Sequence, residues 1–340
     1  MDDSQGRLLN VSLLAGSGAH RAYYDRSGSG VSELTADELA AGFLPRPALN
    51  LRFFGGRTIA NLVFANHYLG GAAAWVPADI ASIDAALAKA MSDNDLQSVI
   101  QQYYDAPISS RMLPSVVLPG SAPATIHKDQ VEAVVARICR YGALDGADTG
   151  STVINILLPH GVVLVDGFTA GFQPPPGQEA EHERRRRAVV KVGGEDADSR
   201  HGLGGYHGSA RVTPCGTAYY AVAVYSEPGN GVPTFDQPWK NIAATIYHQL
   251  NEARTDPDVD DAIRTGDSTR LGWYSARGGE IGDIPVKEAG TSIALVFREV
   301  DLADGSGAVP VQLMWSNKTS TPATRLAYPW RTRSPRPGPA

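Results

Sequence analysis

The sequence predicts an α+β fold in which helices pack against a central mixed sheet. Residues 153–158 form a nearly continuous apolar run with β-branched side chains, which is typical of a strand buried on both faces. Residues 218–225 consist of alanine, tyrosine and valine, so a second buried strand is predicted there. Residues 238–253 place apolar side chains at a spacing of three and four residues, which predicts a helix that covers the sheet.

Shorter elements are predicted on both sides of these segments. Apolar residues around a Gly-Gly-Arg sequence predict two strands or a hairpin over residues 49–64, and residues 115–118 form a further strand. Apolar residues at helical spacing predict three more helices, over residues 78–91, 95–104 and 128–141. The helix at 238–253 begins after Asp236, its predicted N-cap, and ends before Pro257.

The chain is long enough for one large domain or for two packed subdomains. The predicted division is a flexible N-terminal arm, a single α+β domain and a disordered tail, over residues 1–45, 46–328 and 329–340. Two subdomains, 46–170 and 205–328, are an alternative division of the central part. Residues 173–200 contain three consecutive prolines and dense charges, so we interpret them as a polar insertion.

Composition excludes several classes of partner. The chain carries 30 Lys and Arg against 36 Asp and Glu, a formal net charge of −6, so no basic field attracts nucleic acid. Its one basic run, residues 184–187, is flanked by acidic residues and is interpreted as a solvated loop. No apolar run approaches the roughly 20 residues that cross a bilayer, so no membrane insertion is expected.

The first residues and the cysteines bear on localisation. The acidic N-terminus lacks the basic region and the apolar stretch of a secretory signal. This favours a cytoplasmic protein, or one exported by a route that does not use a signal peptide. Cys139 and Cys215 are the only cysteines, so we expect small buried apolar residues rather than a disulfide framework.

The predicted helix at 238–253 carries the strongest chemical signal. His248 and Glu252 are four residues apart, so their side chains leave one face of the helix one turn apart and can ligate one metal ion. The spacing is similar to that of zincin helices, where a Glu directly after the first His takes a proton from metal-bound water. Gln249 stands at that position and cannot accept a proton at neutral pH. The alternative is that His248 and Glu252 lie on a solvated helix face.

Five short motifs occur in a fixed order along the second half of the chain: Gly205-Tyr206-His207, the His248-to-Glu252 helix, Gly272-Trp273-Tyr274, Gly279-Glu280-Ile281-Gly282-Asp283, and Val311-Gln312 with Trp315-Ser316-Asn317. This order resembles the phosphate-induced protein or exordium-like family and its bacterial relatives, over about residues 50–320. The resemblance implies a zincin-like arrangement around the His248 helix and a metal-dependent, peptidase-like site.

The chain departs from the family in two respects. Gln249 replaces the family's Glu, which leaves His248 and Glu252 as candidate ligands but removes the usual base. Cysteines that are common beside three of the motifs are absent, and Gly204 and Pro285 occupy two of those places. The loss of these thiols, together with the absence of a signal peptide, is consistent with folding in a reducing compartment.

Further ligands are expected among the acidic residues of these motifs. A zinc site needs about four donors, and Glu280 and Asp283 are the candidates to complete it, unless they are solvated acids of a Gly-rich turn. Asp256 is the next candidate ligand, unless it is only the residue that ends the helix before Pro257. Glu280 is also the first candidate for a substitute base. His207 is either a ligand, a neighbour that supports the ligands, or a satisfied histidine beside a strand.

Tyr206 is expected to line the pocket or to support the ligands, and Trp273 and Tyr274 are expected to form core or pocket wall. Together these residues predict a zincin-like, zinc-binding metalloprotein that is a catalytically impaired or pseudo-metallopeptidase and binds a peptide or a glycan. Any enzymatic activity would be that of a metal-dependent hydrolase. The alternative is a non-catalytic structural or assembly protein that contacts other protein subunits.

Overall fold

The computed structural model describes residues 11–14, 17–19, 42–141, 144, 146–169, 198–213, 215–277 and 279–326. The described strands are β1 Val11–Leu13, β2 Arg52–Phe53, β3 Asn61–Tyr68, β4 Ser109–Met112, β5 Val116–Val117, β6 Thr125–His127, β7 Thr152–Leu157, β8 Val163–Val165, β9 Leu203–Val212, β10 Gly216–Ala223, β11 Trp273–Tyr274, β12 Phe297–Asp301, β13 Ala308–Gln312, β14 Met314–Ser316 and β15 Thr321–Ala323. The helices are α1 Pro77–Ser92, α2 Asn94–Gln101, α3 Lys128–Arg140, α4 Pro238–Thr255, α5 Val259–Thr265 and α6 Asp283–Ala289.

A seven-stranded mixed sheet forms the centre of the molecule, which confirms the predicted α+β fold. Its strand order is β1-β9-β10-β7-β3-β4, and β5 also pairs with β3. The pairs β1·β9 and β9·β10 are antiparallel, whereas the pairs β10·β7, β7·β3, β3·β4 and β3·β5 are parallel. All six residues of β7 are buried, because the sheet is covered on both faces.

Helix α4 and helix α3 cover opposite faces of the sheet. On the α4 face, Ile242, Ile246 and Leu250 join one apolar cluster with residues of β3, β7 and β10, and all three are fully buried. On the other face, α3 contributes Val131 and Val135 to a second cluster. The predicted packing of the 238–253 helix on the strands at 153–158 and 218–225 is therefore confirmed.

Helix α4 is buried on every side, not only along its apolar stripe. Residues 240–255 are all buried, because β9 and β10 lie on one side while α1 and β13 lie on others. The alternative of a solvated face for His248 and Glu252 is therefore wrong. Pro238 lies in the first turn as predicted, but Asp236 is not the N-cap: it accepts a hydrogen bond from Lys240 at 2.9 Å instead.

Residues 49–64 contain two strands that do not form a hairpin. Strand β2 pairs with β11, and β3 enters the main sheet between β7 and β4. Gly56 explains the difference: a β-carbon there would lie 2.0 Å from the carbonyl oxygen of Arg270. The Gly-Gly sequence thus permits close contact with the chain before β11 rather than a turn back onto β2.

The segments predicted as arm, insertion and tail lie mostly outside the described residues. Where the arm is described, Val11–Leu13 is a buried strand that pairs with β9, so the prediction of a loose segment is wrong for these residues. Within 173–200, Asp198, Ser199 and Arg200 are described; the first two are buried and Arg200 is exposed. The division at 46–170 and 205–328 stays a prediction. None of the helices in the described part of the chain is long and apolar enough to span a bilayer.

Candidate metal centre

Buried polar side chains from four segments converge on the α4 face of the sheet. Each is at most 2 % exposed. They are His207 of β9, His248, Gln249 and Glu252 of α4, Glu280 and Asp283 at the start of α6, and Gln312 of β13. Four of the five sequence motifs thus contribute to one site.

Three of these residues form a first candidate metal-binding group. His248, Glu252 and Asp283 each offer a donor atom, and these atoms lie within 4.8 Å of one another. Nε2 of His248 and Oε2 of Glu252 are 2.8 Å apart, yet the approach is not aligned as a hydrogen bond. Two ligands of one metal ion have this geometry, because their lone pairs point at the ion and not at each other.

A glycine makes room for this group. A β-carbon at Gly282 would lie 2.6 Å from Cε1 and Nδ1 of His248 and 2.9 Å from Oε1 of Glu252. Contacts that short do not occur between unbonded atoms, so a larger residue would displace the ligands. The backbone of the Gly-Glu-Ile-Gly-Asp motif therefore packs directly on the imidazole ring.

A second candidate group shares Glu252 with the first. It consists of His207, Glu252 and Glu280, whose donor atoms also lie within 4.8 Å of one another. Nδ1 of His207 is 3.6 Å from Oε2 of Glu252, and Nε2 of His207 is 3.6 Å from Oε1 of Glu280. Among the described residues, neither carboxylate oxygen of Glu280 has a hydrogen-bond partner.

Both histidines are oriented by a glutamine. Nδ1 of His248 is 2.5 Å from Oε1 of Gln312, whose amide nitrogen donates to the carbonyl of Gly282 at 2.6 Å. Nδ1 of His207 is 3.0 Å from Oε1 of Gln249. An amide oxygen only accepts, so each Nδ1 carries a proton. Nε2 of His248 then faces Glu252, and Nε2 of His207 faces Glu280.

The side chain of Gln249 is anchored at both ends. Its oxygen accepts from His207, and its nitrogen donates to Oγ of Ser12 on β1 at 2.7 Å. In this arrangement Gln249 supports His207 and does not point a free group at the His248 ligands. The residue at the position of the zincin base is therefore part of the scaffold of the second group.

Burial and mutual repulsion set the ionisation of the acids in the metal-free protein. Burial and the charge of Glu252 raise the pKa of Asp283 to about 7, and the same two causes raise the pKa of Glu280 well above its usual value. For Glu252 burial is outweighed by the positive charge of His248, which lowers its pKa to about 2. A bound cation would relieve the repulsion among these carboxylates.

Burial lowers the pKa of a histidine, whereas it raises that of an acid. Burial by itself lowers the pKa of His207 and of His248, but the interaction with Glu252 outweighs it, so the pKa of each is raised. Nε2 of His207 also lies 3.3 Å from the carbonyl oxygen of Asp256. Without a metal, both rings therefore tend to carry a second proton at the nitrogen that faces the acids.

The remaining predicted site residues lie around the centre or away from it. Asp256 is fully buried and accepts from the backbone N–H of Gly272 at 2.9 Å, but it belongs to neither group. Burial raises its pKa to about 8. Trp273 is half-buried against Tyr103, and Tyr274 packs in a small apolar cluster with Leu271.

The prediction that Tyr206 lines the site is wrong. Successive residues of a strand point to opposite faces, so Tyr206 faces away from its neighbour His207. Tyr206 belongs to the cluster on the α3 face, where the ammonium of Lys128 lies 5.1 Å from its ring centroid.

Two site residues escaped the sequence analysis. Gln312 lies within a recognised motif, so its position was known, but nothing in the sequence showed its contact with His248. Ser12 gave no signal at all, because it lies in a Gly- and Ser-rich segment far from the other motifs.

Comparison of the chain with known protein families, with curated proteins and with solved structures gives no significant match. The resemblance to the exordium-like family therefore stays a prediction that rests on the five motifs. What the site can do has to be argued from its own residues, which could hold a metal ion.

Proposed function

We propose that this protein is a zincin-like metalloprotein in which His248, Glu252 and Asp283 bind a zinc ion, with hydrolytic chemistry impaired. One observation carries the proposal: three donor atoms lie within 4.8 Å of one another in the core. Among the described residues, the oxygens of Glu252 lie at ion-pair distance from the two histidine rings but make no aligned hydrogen bond. A buried carboxylate without partners is costly unless a cation or a donor compensates it.

The donor set suits zinc. Zinc accepts imidazole nitrogen and carboxylate oxygen, with about four ligands in tetrahedral geometry. The hydrogen bond from Nδ1 of His248 to Gln312 supports the assignment, because a ligating histidine usually donates its other N–H to a fixed acceptor. The family resemblance of the motifs, four of which supply site residues, supports it independently.

Weak hydrolysis follows from residue 249. A metal-bound water has to lose a proton before it attacks, and a general base at this point is worth roughly a hundred- to ten-thousand-fold in rate. Gln249 cannot take the proton, and its amide is already engaged by His207 and Ser12. We therefore propose a pseudo-metallopeptidase whose site retains the metal, and whose ligand is a peptide or a glycan.

Full burial of the donors favours a second candidate function. Catalytic zinc sites keep an open coordination position, whereas structural sites are closed. All donors here are at most 2 % exposed, as in a closed site. In this alternative the ion holds α4 and α6 together in a non-catalytic structural or assembly protein. The free thiols of Cys139 and Cys215 suit the reducing cytoplasm in either case.

Metal analysis of protein purified without a chelator or a histidine tag tests the proposal. The wild-type chain should contain zinc at one equivalent or more, and His248→Ala should lose it from the first group. His160→Ala is the matched control, because the side chain of His160 is 74 % exposed and lies outside the centre. A wild-type chain that binds no zinc, even when zinc is added, would refute the metalloprotein and favour a metal-free structural role.

A further inference from the structure

We infer that the centre holds two divalent metal ions, the second bound by His207, Glu252 and Glu280, so that the carboxylate of Glu252 bridges them. The inference rests on the proposed function, because it shares Glu252 with the zinc site. It adds a second ion, assigns His207 as a ligand and gives Gln249 a role.

The donors divide into two groups rather than one. A zinc ion lies about 2 Å from each ligand, so its ligands lie within about 4 Å of one another. The described residues form two groups whose donor atoms lie within 4.8 Å of one another, one around each histidine, and only Glu252 occurs in both. Its Oε2 lies 2.8 Å from Nε2 of His248 and 3.6 Å from Nδ1 of His207, so one carboxylate reaches both rings.

Each of the two histidines is held by a glutamine. Each ring has its Nδ1 against the amide oxygen of a glutamine, Gln312 for His248 and Gln249 for His207. Each glutamine is fixed in turn by its amide nitrogen, to the carbonyl of Gly282 or to the hydroxyl of Ser12. For His248 this arrangement leaves Nε2 to face a metal. Nε2 of His207 also lies 3.3 Å from the carbonyl oxygen of Asp256, so it binds a metal only by giving up that contact.

Glu280 supplies the independent observation for the second ion. It is fully buried, and both of its oxygens lack a hydrogen-bond partner within the described structure. Its only ion-pair contact in the same part of the chain is with His207. An ion in the first group alone would leave both oxygens of Glu280 without a hydrogen-bond partner in the described structure and close to the carboxylate of Glu252. A second cation next to Glu280 removes this cost.

Counting bound ions tests the inference. Protein stripped with a chelator is titrated with zinc alone, and native mass spectrometry gives the number of ions per chain. The wild-type chain should bind two. Glu280→Gln keeps the shape of the side chain but not its charge and should bind one, as should His207→Ala, whereas the control His160→Ala should bind two.

Manganese(II) tests whether the ions share a bridge. Two manganese ions joined by Glu252 give a spin-coupled paramagnetic resonance spectrum, and Glu280→Gln should give the spectrum of an isolated ion. The wild-type count and spectrum decide the question even if a variant fails to fold. One ion in the wild-type chain would overturn the inference and leave the proposed zinc site intact. Two ions in Glu280→Gln would overturn the ligand assignment, and no ion in any chain would overturn both proposals.

Discussion

Replacing Gly282 with alanine adds only one methyl group but should disturb the metal centre strongly. The added β-carbon would lie 2.6 Å from Cε1 and Nδ1 of His248, against about 3.4 Å for ordinary contact, so the neighbours must separate by about 0.8 Å. The ring cannot retreat, because its Nδ1 is hydrogen-bonded to Gln312 and it is fully buried. Overpacking of this kind costs about 1–3 kcal/mol of unfolding free energy.

Two measurements follow the effect of Gly282→Ala. Urea unfolding in the presence of a chelator gives the packing cost alone, which should lie in the range above. Unfolding with zinc present should show a larger loss, because displacement of His248 and Glu252 also weakens the ion, and a ligand that binds only the folded state stabilises it in proportion to its affinity. Calorimetric zinc titration should give an affinity at least about ten-fold lower.

Gly150→Ala is the matched control for this substitution. The nearest atom to a β-carbon at Gly150 is Nη2 of Arg57 at 2.7 Å, the end of a flexible side chain that can move. The unfolding free energy of Gly150→Ala should change by less than about 0.5 kcal/mol, and zinc affinity should be unaffected. If Gly282→Ala matches the control in both properties, the close packing of this backbone on His248 does not support the metal centre.

Three further predictions concern the glutamines and the acids. Gln249→Glu should raise hydrolysis of a peptide library above that of the wild-type chain if the site is open to substrate and the new carboxylate turns from His207 toward the His248 ligands. Strong, chelator-sensitive proteolysis by the unmodified chain would contradict an impaired site. Gln249→Leu should lower the affinity for the second ion, and Gln312→Leu the affinity for the first, by about ten- to a hundred-fold each. If both substitutions lower the affinity for the same ion equally in zinc titrations, the two glutamines do not support separate ions. In the metal-free protein the pKa values of Asp283 and Asp256 are raised to about 7 and about 8, from an unfolded value of 3.8. The folded state therefore holds these two protons more tightly than the unfolded state. This contribution to the unfolding free energy is lost as the pH rises from about 4 to about 8. Urea unfolding in chelator should therefore give a lower free energy at about pH 9 than at about pH 5, and a higher one would contradict the burial argument; Glu252, with its pKa lowered to about 2, loses its contribution only in more acidic solution.

The sequence predicts the main elements because their patterns are local. The apolar run at 153–158 becomes β7, and the helical spacing at 238–253 becomes α4, with a shift of one or two residues at the ends. The same spacing correctly places His248 and Glu252 on one face. Their burial is not local information, since it depends on β13 and α1, which come from distant parts of the chain.

The centre itself is only partly readable from the sequence. Its acids and histidines stand out by residue type. Alternation along a strand does not tell which face of β9 meets α4, so the sequence alone does not separate Tyr206 from His207. The contact between Ser12 and Gln249 joins residues 237 positions apart and has no pattern in either segment. The choice between two strands and a hairpin at 49–64 is not local either, because Gly56 packs against the distant backbone of Arg270.

Strand β1 imposes an order on the synthesis and folding of this chain. Val11 pairs with Tyr206, so the ribosome must add 195 further residues before the partner of β1 exists, the longest wait of any strand in the main sheet. At about 5–20 residues per second this takes about 10–40 seconds. Throughout that time the apolar residues of β1 are without their partner strand and accessible to chaperones. Ser12 and Gln249 are 237 positions apart, so their hydrogen bond cannot form before α4 has been synthesised.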